Sequence, residues 1–238
     1  MTHQTLPQLE ASAKTLDEKV ASAISFMTQL AETFDPTRIA VAWTAGKDST
    51  VALALWRECL GAVAPSVTPR ALSIDTGCKF PEVVALRDDV AAAWGLDLTV
   101  ARPDVDLAAY PLAQDKVACC RDLKVVPLGR TIREQGVDLV LSGVRADEHP
   151  SRAARPSCEA RQNPDHVLAH PVLHFTEMDV WAYIMDRGLP YCSLYADGYR
   201  SLGCVPCTAR ADAAAPERAG RDTEKERNLE VLHSLGYF

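Results

Sequence analysis

The sequence lacks any run of about 18 apolar residues, the length needed for a helix to span a bilayer. Its first twenty residues, MTHQTLPQLEASAKTLDEKV, lack the apolar core of a secretory signal. Together these absences lead to the expectation of a cytoplasmic protein with no membrane partner. An excess of positive charge is missing too. Net charge is −7, whereas a free-standing nucleic-acid binder would carry a basic face. A nucleic acid delivered by a partner stays compatible with that balance. No internal repeat or long low-complexity stretch interrupts the chain.

What is present is enough apolar residue, 47% of 238, to bury a substantial core. We expect one α/β domain over 1–238, with an N-terminal helical segment (1–36), a nucleotide-binding core (37–190) and a cysteine-bearing tail region (191–238). Eight cysteines are many for a reducing compartment, where they point to metal binding or redox chemistry rather than disulfides. Arg145, Arg152, Arg155 and Arg161 fall within 17 positions, a cluster suited to phosphate or sulfate, or else a solvated loop.

Strand and helix patterns alternate. Residues 15–33 read as an amphipathic helix and Ile39 to Trp43 as a short apolar strand. A helix is expected from about Thr50 to Leu60, a strand over Ala71 to Ile74, and a helix from Pro81 to Trp94. Asp97 to Ala101 is a third strand, Leu123 to Gln135 a helix, and Val137 to Ser142 a fourth strand. This order predicts a doubly wound parallel sheet, with ligands beyond the carboxyl ends of its strands. Thr44–Ser49, Asp75–Gly77 and Gly143–Arg145 all lie at such ends. Residues 146–170 read as mostly loop. Thr176, with Asp179 three positions on, resembles a capping box opening a helix to about Arg187. The chain is expected to be irregular from Tyr191 to Arg221, and helical from about Asp222 to Leu235.

The segment TAGKDS reads strand, tight loop, helix. Gly46 would let the backbone approach an oxyanion, and the following helix would point its amides and dipole at it. Lys47 adds a mobile charge, and Thr44 and Ser49 supply hydroxyls. Ala45 completes the loop, and Asp48 would order it or bind Mg²⁺. The G-x-x-x-x-G-K-[ST] pattern is absent. The plainer alternative is an ordinary turn containing a glycine.

Cys204 and Cys207 form a CxxC, which alone suits a redox pair or half a zinc site. Cys119 and Cys120 are adjacent, an awkward arrangement for one zinc and a strained one for a disulfide. Four thiolates in this pattern suit a [4Fe–4S] cluster, with zinc or buried redox cysteines as alternatives. Cys59 reads as core. Cys78 follows a strand end, where it would face the site. Cys158 and Cys192 stand apart. His149, His166, His170 and His174 form no metal spacing.

The segments CCRDLKVVPLGRTI, LSGVRADEHPSRA, FTEMDVWAYI and GYRSLGCVPCTAR resemble the assimilatory adenylyl-sulfate and phosphoadenylyl-sulfate reductases over roughly residues 38–210. IDTGCKFPEV is similar to their LDTGxxFPET segment. The resemblance implies an adenine-nucleotide-binding α/β fold, and its cluster-bearing members use a CC plus CxxC set. Two departures stand out. Those reductases carry a C-terminal ECGLH-like motif whose cysteine attacks sulfur, and no cysteine follows Cys207 here. TAGKDS also resembles the SxGKDS loop of the small, catalytic subunit of bacterial ATP sulfurylase, as GRDTEKERNLEVLHSLGYF resembles that subunit's ending. Adenylating proteins of DNA phosphorothioation combine a similar loop with cluster cysteines.

These resemblances imply an ATP pyrophosphatase cleaving between the α- and β-phosphates and carrying a [4Fe–4S] cluster on Cys119, Cys120, Cys204 and Cys207. Gly46, Lys47 and Ser49 would hold the β- and γ-phosphates. Mg²⁺ would sit on Asp48 and Asp75, and Arg145 would face phosphate or sulfate. Thr44, Ala45, Thr76, Gly77, Gly143 and Arg221 would complete the nucleotide site. The acceptor would be sulfate, or a DNA phosphate delivered by a partner within a sulfur-transfer complex. The alternatives are a thiol-dependent sulfonucleotide reductase using Cys78 or Cys158, and a non-catalytic cluster-bearing nucleotide-binding subunit.

Overall fold

The computed structural model describes residues 6–11 and 14–237, so Phe238 of the Gly-Tyr-Phe ending and part of the polar N-terminal stretch lie outside the described residues. The first helix, α1 (Leu16–Thr33), opens on Thr15, whose hydroxyl takes the Glu18 amide while Glu18 reaches back to the cap. Strand β1 (Ile39–Ala42) leads into α2 (Lys47–Val63). Next come β2 (Arg70–Ile74), α3 (Pro81–Trp94) and β3 (Asp97–Ala101). Pro81 starts α3, and Gly95, at φ 61°, ends it in a conformation that glycine adopts freely.

A helical run follows, in which α4 (Lys116–Cys120) widens into a π turn (Arg121–Val125) before α5 (Val126–Glu134). The expected helix from Leu123 therefore begins earlier, and the cysteine pair lies on it. Strand β4 (Leu139–Ser142) is followed by β5 (Cys158–Arg161) and β6 (His166–Ala169). These two strands interrupt the stretch 146–170, whose sequence reads as mostly loop. They are short, and they form by long-range pairing of β6 with β4 rather than by local propensity. Thr176 caps α6 (Glu177–Asp186) through the expected capping box. The tail helix is broken at Asn228 into α7 (Thr223–Arg227) and α8 (Leu229–Ser234).

The six strands form one sheet in the order β3-β2-β1-β4-β6-β5, parallel except for the antiparallel edge strand β5. Alternation along β1 explains the two layers. Ile39, Val41 and Trp43 enter one core, which includes Phe26 of α1, Leu53 of α2 and Ile184 of α6. Ala40 and Ala42 enter a second, smaller core with Leu128 and Ile132 of α5. Both faces are therefore covered, and β1 and β4 are wholly buried, as central parallel strands require. The winding direction reverses between β1 and β4, which are neighbours but far apart in sequence. Such a switch point leaves a crevice beyond the strand ends, and here it falls between Thr44 and Gly143. No helix among the described residues is long and apolar enough to cross a membrane.

Candidate active site

A cavity of about 140 Å³ opens at this switch point. Its wall includes Thr44, Gly46, Asp48 and Ser49 after β1, Gly143 and Val144 after β4, and Ile74 at the end of β2. The first loop is tightly built. Ala45 is left-handed at φ 57°, an uncommon state for a residue with a Cβ and a place where strain is stored. The Ser49 hydroxyl donates to the Gly46 carbonyl (3.0 Å) and accepts from the Thr44 amide (3.3 Å). Helix α2 begins at Lys47, earlier than the sequence suggested, so its free amides sit directly behind Gly46. One of them, from Lys47, already donates to the Tyr195 hydroxyl at 2.9 Å. Gly143 lies against this helix start, with only 2.5 Å between the Ser49 nitrogen and the place where a Cβ would stand.

Lys47 and Arg145 do not line the open cavity. Both are buried, and they share the carboxylate of Glu217, one oxygen each. Arg145 also binds Asp48 (2.7 Å) and Asp147 (3.0 Å), while Lys47 donates to the Arg200 carbonyl (3.0 Å). Burial works against the charge on both cations, but Asp48 and Glu217 outweigh it and hold both groups firmly protonated. Glu148, flanked by Arg152 and Arg218, is held down to about 2 despite its burial. Carboxylate oxygens of Asp48, Glu148 and Glu217 lie within 4.8 Å of one another. Asp75 is not in this group. Its carboxylate accepts from the Gly77 amide and faces Arg87 and Arg102. Thr76 and Gly77 are likewise off the cavity wall. Gly77 packs on Leu107, and the Thr76 hydroxyl lies 3.2 Å from Cys204 Sγ.

At the other end of the same cavity stand Lys79, Lys124 and Arg221, with Tyr237 from the tail. Among the described residues none of these three cations, nor Lys225 behind them, has a carboxylate partner within ion-pair distance. Arg221 Nε is buried with no hydrogen-bond partner, and Gly203 makes room for the guanidinium. Lys225 donates to the Tyr237 hydroxyl at 3.0 Å. Burial would raise the Tyr237 phenol, but Lys124, Lys225 and Arg221 bring it down to about 6. This end of the cavity therefore gathers cations whose nearest counter-charge among the described residues is the Tyr237 phenol rather than a carboxylate.

The four cysteines singled out in the sequence come together beside that end. Cys119, Cys120, Cys204 and Cys207 line a small cavity of about 20 Å³ with Cys78 and Lys124, and all are free thiols. Successive side chains on a regular α-helix diverge by about 100°. The π turn immediately after Cys120 relaxes that geometry, a device common at functional sites. Burial raises the Cys204 thiol, but Lys124, Lys79 and the Thr76 hydroxyl outweigh it and bring it down to about 6. A convergent set of free thiols backed by cations fits a thiolate-ligated, negatively charged cluster. Cys59 is a core residue 3.5 Å from the Thr28 hydroxyl, and Cys158 is buried in β5 with its thiol pushed up to about 12.

Sequence reasoning did not single out Lys79, Lys124, Tyr195, Glu217, Arg218 or Tyr237. Lys79 and Lys124 each lie within four residues of a cysteine that lines the small cavity, a signal that was readable. Glu217 and Tyr195 meet the loop from 170 and 148 positions away, and nothing local announces them.

The family model described as phosphoadenosine phosphosulfate reductase domain matches residues 38–210. The adenosine 5'-phosphosulfate reductase of Mycobacterium tuberculosis is 34% identical over 155 residues, 62% of this chain and 60% of that protein. The alignment thus spans about three fifths of that relative's length. A phosphoadenylyl-sulfate reductase from Candida auris, solved as a phosphate complex, superposes with TM-score 0.60 at 20% identity, covering 83% of this chain and 98% of that one. An FMN adenylyltransferase from Candida glabrata, bound to FAD and pyrophosphate, gives TM-score 0.67 at 18% identity over 96% of this chain and 87% of that one. These two likenesses establish a shared fold.

Proposed function

The chain belongs to the phosphoadenosine phosphosulfate reductase family, and from that premise we propose that it is an adenylyl-transferring ATP pyrophosphatase of sulfur metabolism. One observation carries the reading. A single cavity joins the amide-rich start of α2 to a set of cations that have no carboxylate partner among the described residues, so it offers two anion seats. ATP would use the first, with its β- and γ-phosphates against Gly46, Ser49 and the exposed amides, and Lys47 and Arg145 as counter-charges. An acceptor oxyanion, sulfate or a phosphate diester, would use the second, against Lys79, Lys124 and Arg221.

The acceptor oxygen would form a bond to the α-phosphorus. The bond from that phosphorus to the bridging oxygen would break, and its electron pair would leave with pyrophosphate. No electrons are transferred overall, and the protein's contribution is positioning and charge stabilisation. Mg²⁺ with Asp48 would help to neutralise the leaving group. Cys119, Cys120, Cys204 and Cys207 would hold the [4Fe–4S] cluster, which would supply redox capacity and negative charge. Lys124 and Lys79 would balance its charge from the cavity side.

A second reading, a thiol-dependent sulfonucleotide reductase, is favoured by Cys78, which lines the cysteine cavity, and by the activity for which the mycobacterial relative is named. Exchange of labelled pyrophosphate into ATP separates the two. The adenylyl-transfer reading expects Mg²⁺-dependent exchange, lowered at least ~10²-fold in Lys47→Met, the scale of losing one preorganised charge contact. Absence of exchange in the cluster-loaded protein, both with sulfate and with duplex DNA present, overturns it.

A further inference from the structure

Lys47 and Arg145 are the cations best placed to take a phosphate, yet both already hold an anion. Glu217 gives one carboxylate oxygen to each. A carboxylate bridging a lysine and an arginine through separate oxygens copies the way two phosphate oxygens would be held. Without it, two cations with almost no solvent exposure would be left with Asp48 as their one shared carboxylate.

Glu217 reaches this place on a strap, residues 209–221. The strap's base is closed by the Thr208–Arg221 bridge and by the Ala209 amide on the Gly220 carbonyl at 2.7 Å. Its tip, 212–216, is mostly exposed. The tip is fastened by the Arg200 guanidinium on the carbonyls of Ala213 and Ala215, and by the Ala211 amide on the Gly198 carbonyl at 3.1 Å. Within the strap, Glu217, Arg218 and Arg221 are the buried residues, and all three are charged. Ion pairs, among them Arg218 on Glu226 and Glu148, and a few hydrogen bonds therefore fasten it rather than a packed apolar face, so opening it needs a ligand that replaces the lost charge contacts. The seat is also crowded with like charge. Burial and the neighbouring Asp48 and Glu148 push the Glu217 carboxyl up, against the pull of Lys47 and Arg145.

We infer that Glu217 is a placeholder anion: it fills the phosphate seat between Lys47 and Arg145 in the resting protein, and a nucleotide polyphosphate takes its place by lifting the strap 209–221. The inference rests on the proposed phosphate seat. A polyphosphate carries more charge and more oxygens than one carboxylate, so it satisfies the same two cations and the free α2 amides together. Release of the strap also reaches the second anion seat, because Arg221 sits at the strap's base and Arg218 lines the same cavity. Occupation of the first seat thereby changes access to the second, which favours binding the nucleotide before the acceptor.

The probe is inorganic pyrophosphate with the full-length chain, titrated by calorimetry into wild type, Glu217→Gln and Lys47→Met. Wild type is expected to bind. Lys47→Met is expected to lose about tenfold or more, and Glu217→Gln to gain about tenfold or more because the internal competitor no longer carries charge. Trypsin supplies a readout that needs no variant. The Arg218–Ala219 bond is protected by burial of Arg218 in the resting protein, and pyrophosphate is expected to speed its cleavage. If Lys47→Met weakens binding but Glu217→Gln binds no better than wild type, the placeholder is refuted while the phosphate seat stands. If Lys47→Met binds as well as wild type, the phosphate seat fails and the inference falls with it. If Glu217→Gln does not fold, cleavage at Arg218 decides: slower cleavage with pyrophosphate means that the strap closes on the ligand, and overturns the inference.

Discussion

Gly143 leaves no room for even a single methyl group. Its ideal Cβ would stand 2.5 Å from the Ser49 nitrogen and 2.7 Å from the Asp48 carbonyl carbon and the Ser49 Cα, all backbone atoms. Carbon contacts become favourable near ~3.5 Å, so Gly143→Ala must separate β4 from the start of α2 by about 1 Å. Neither side yields easily, since β4 is wholly buried and α2 is anchored by Leu53, Leu55 and Trp56, all fully buried. Overpacking of this kind costs about 1–3 kcal/mol. The displaced atoms are the amides proposed to hold phosphate, and a misplacement of about 1 Å costs on the order of 10²-fold in rate. Pyrophosphate exchange and thermal unfolding of Gly143→Ala, with Gly61→Ala as a control whose Cβ meets nothing within 4 Å, provide the assay. Normal exchange in folded Gly143→Ala would refute the placement of the phosphate seat.

Other consequences are as direct. Glu148 has a folded-state carboxyl near 2 against an ordinary 4.5, so its stabilisation is complete above the ordinary value and is lost as pH falls through the lower one. The difference amounts to roughly 3 kcal/mol, and Glu148→Gln should flatten that part of a urea-stability profile; an unchanged acid limb would count against the pairing with Arg152 and Arg218. Cys119→Ser and Cys204→Ser should each abolish the brown colour and most of the about four irons per chain expected after anaerobic reconstitution, while Cys59→Ser retains both. Equal iron in all three variants would remove the cluster from this site. Arg221→Ala should weaken sulfate as acceptor about tenfold or more, the scale of one charge-assisted hydrogen bond, with little change in the KM for ATP. A selective rise in the KM for ATP would exchange the two seats.

Local chemistry made much of this readable in advance. Thr15 and Thr176 announce their helices with capping boxes, and Pro81 begins α3 where a fixed φ suits the first turn. Strand, TAGKDS and helix follow one another as the loop chemistry demands. The limits of the sequence lie where partners are distant. Strands β5 and β6 exist because β4 offers an edge. The four cysteines and Arg221 could be named, but not Lys225, which arrives on the tail with no local signal. Lys47 was expected to point at a phosphate. That it is buried against Glu217 depends on a contact 170 positions away, which no local pattern encodes.

Adenylyl transfer in the cavity is the step on which the proposed function stands. Its most direct test is anaerobic incubation of cluster-loaded protein with Mg²⁺ and ATP labelled at the α-phosphate, with and without sulfate, followed by separation of the nucleotides. Labelled AMP or adenylyl sulfate is expected together with released pyrophosphate, and both are lost in Lys47→Met. Intact ATP, alongside formation of sulfite from added adenylyl sulfate and a thiol reductant, would contradict it and identify the chain as a reductase.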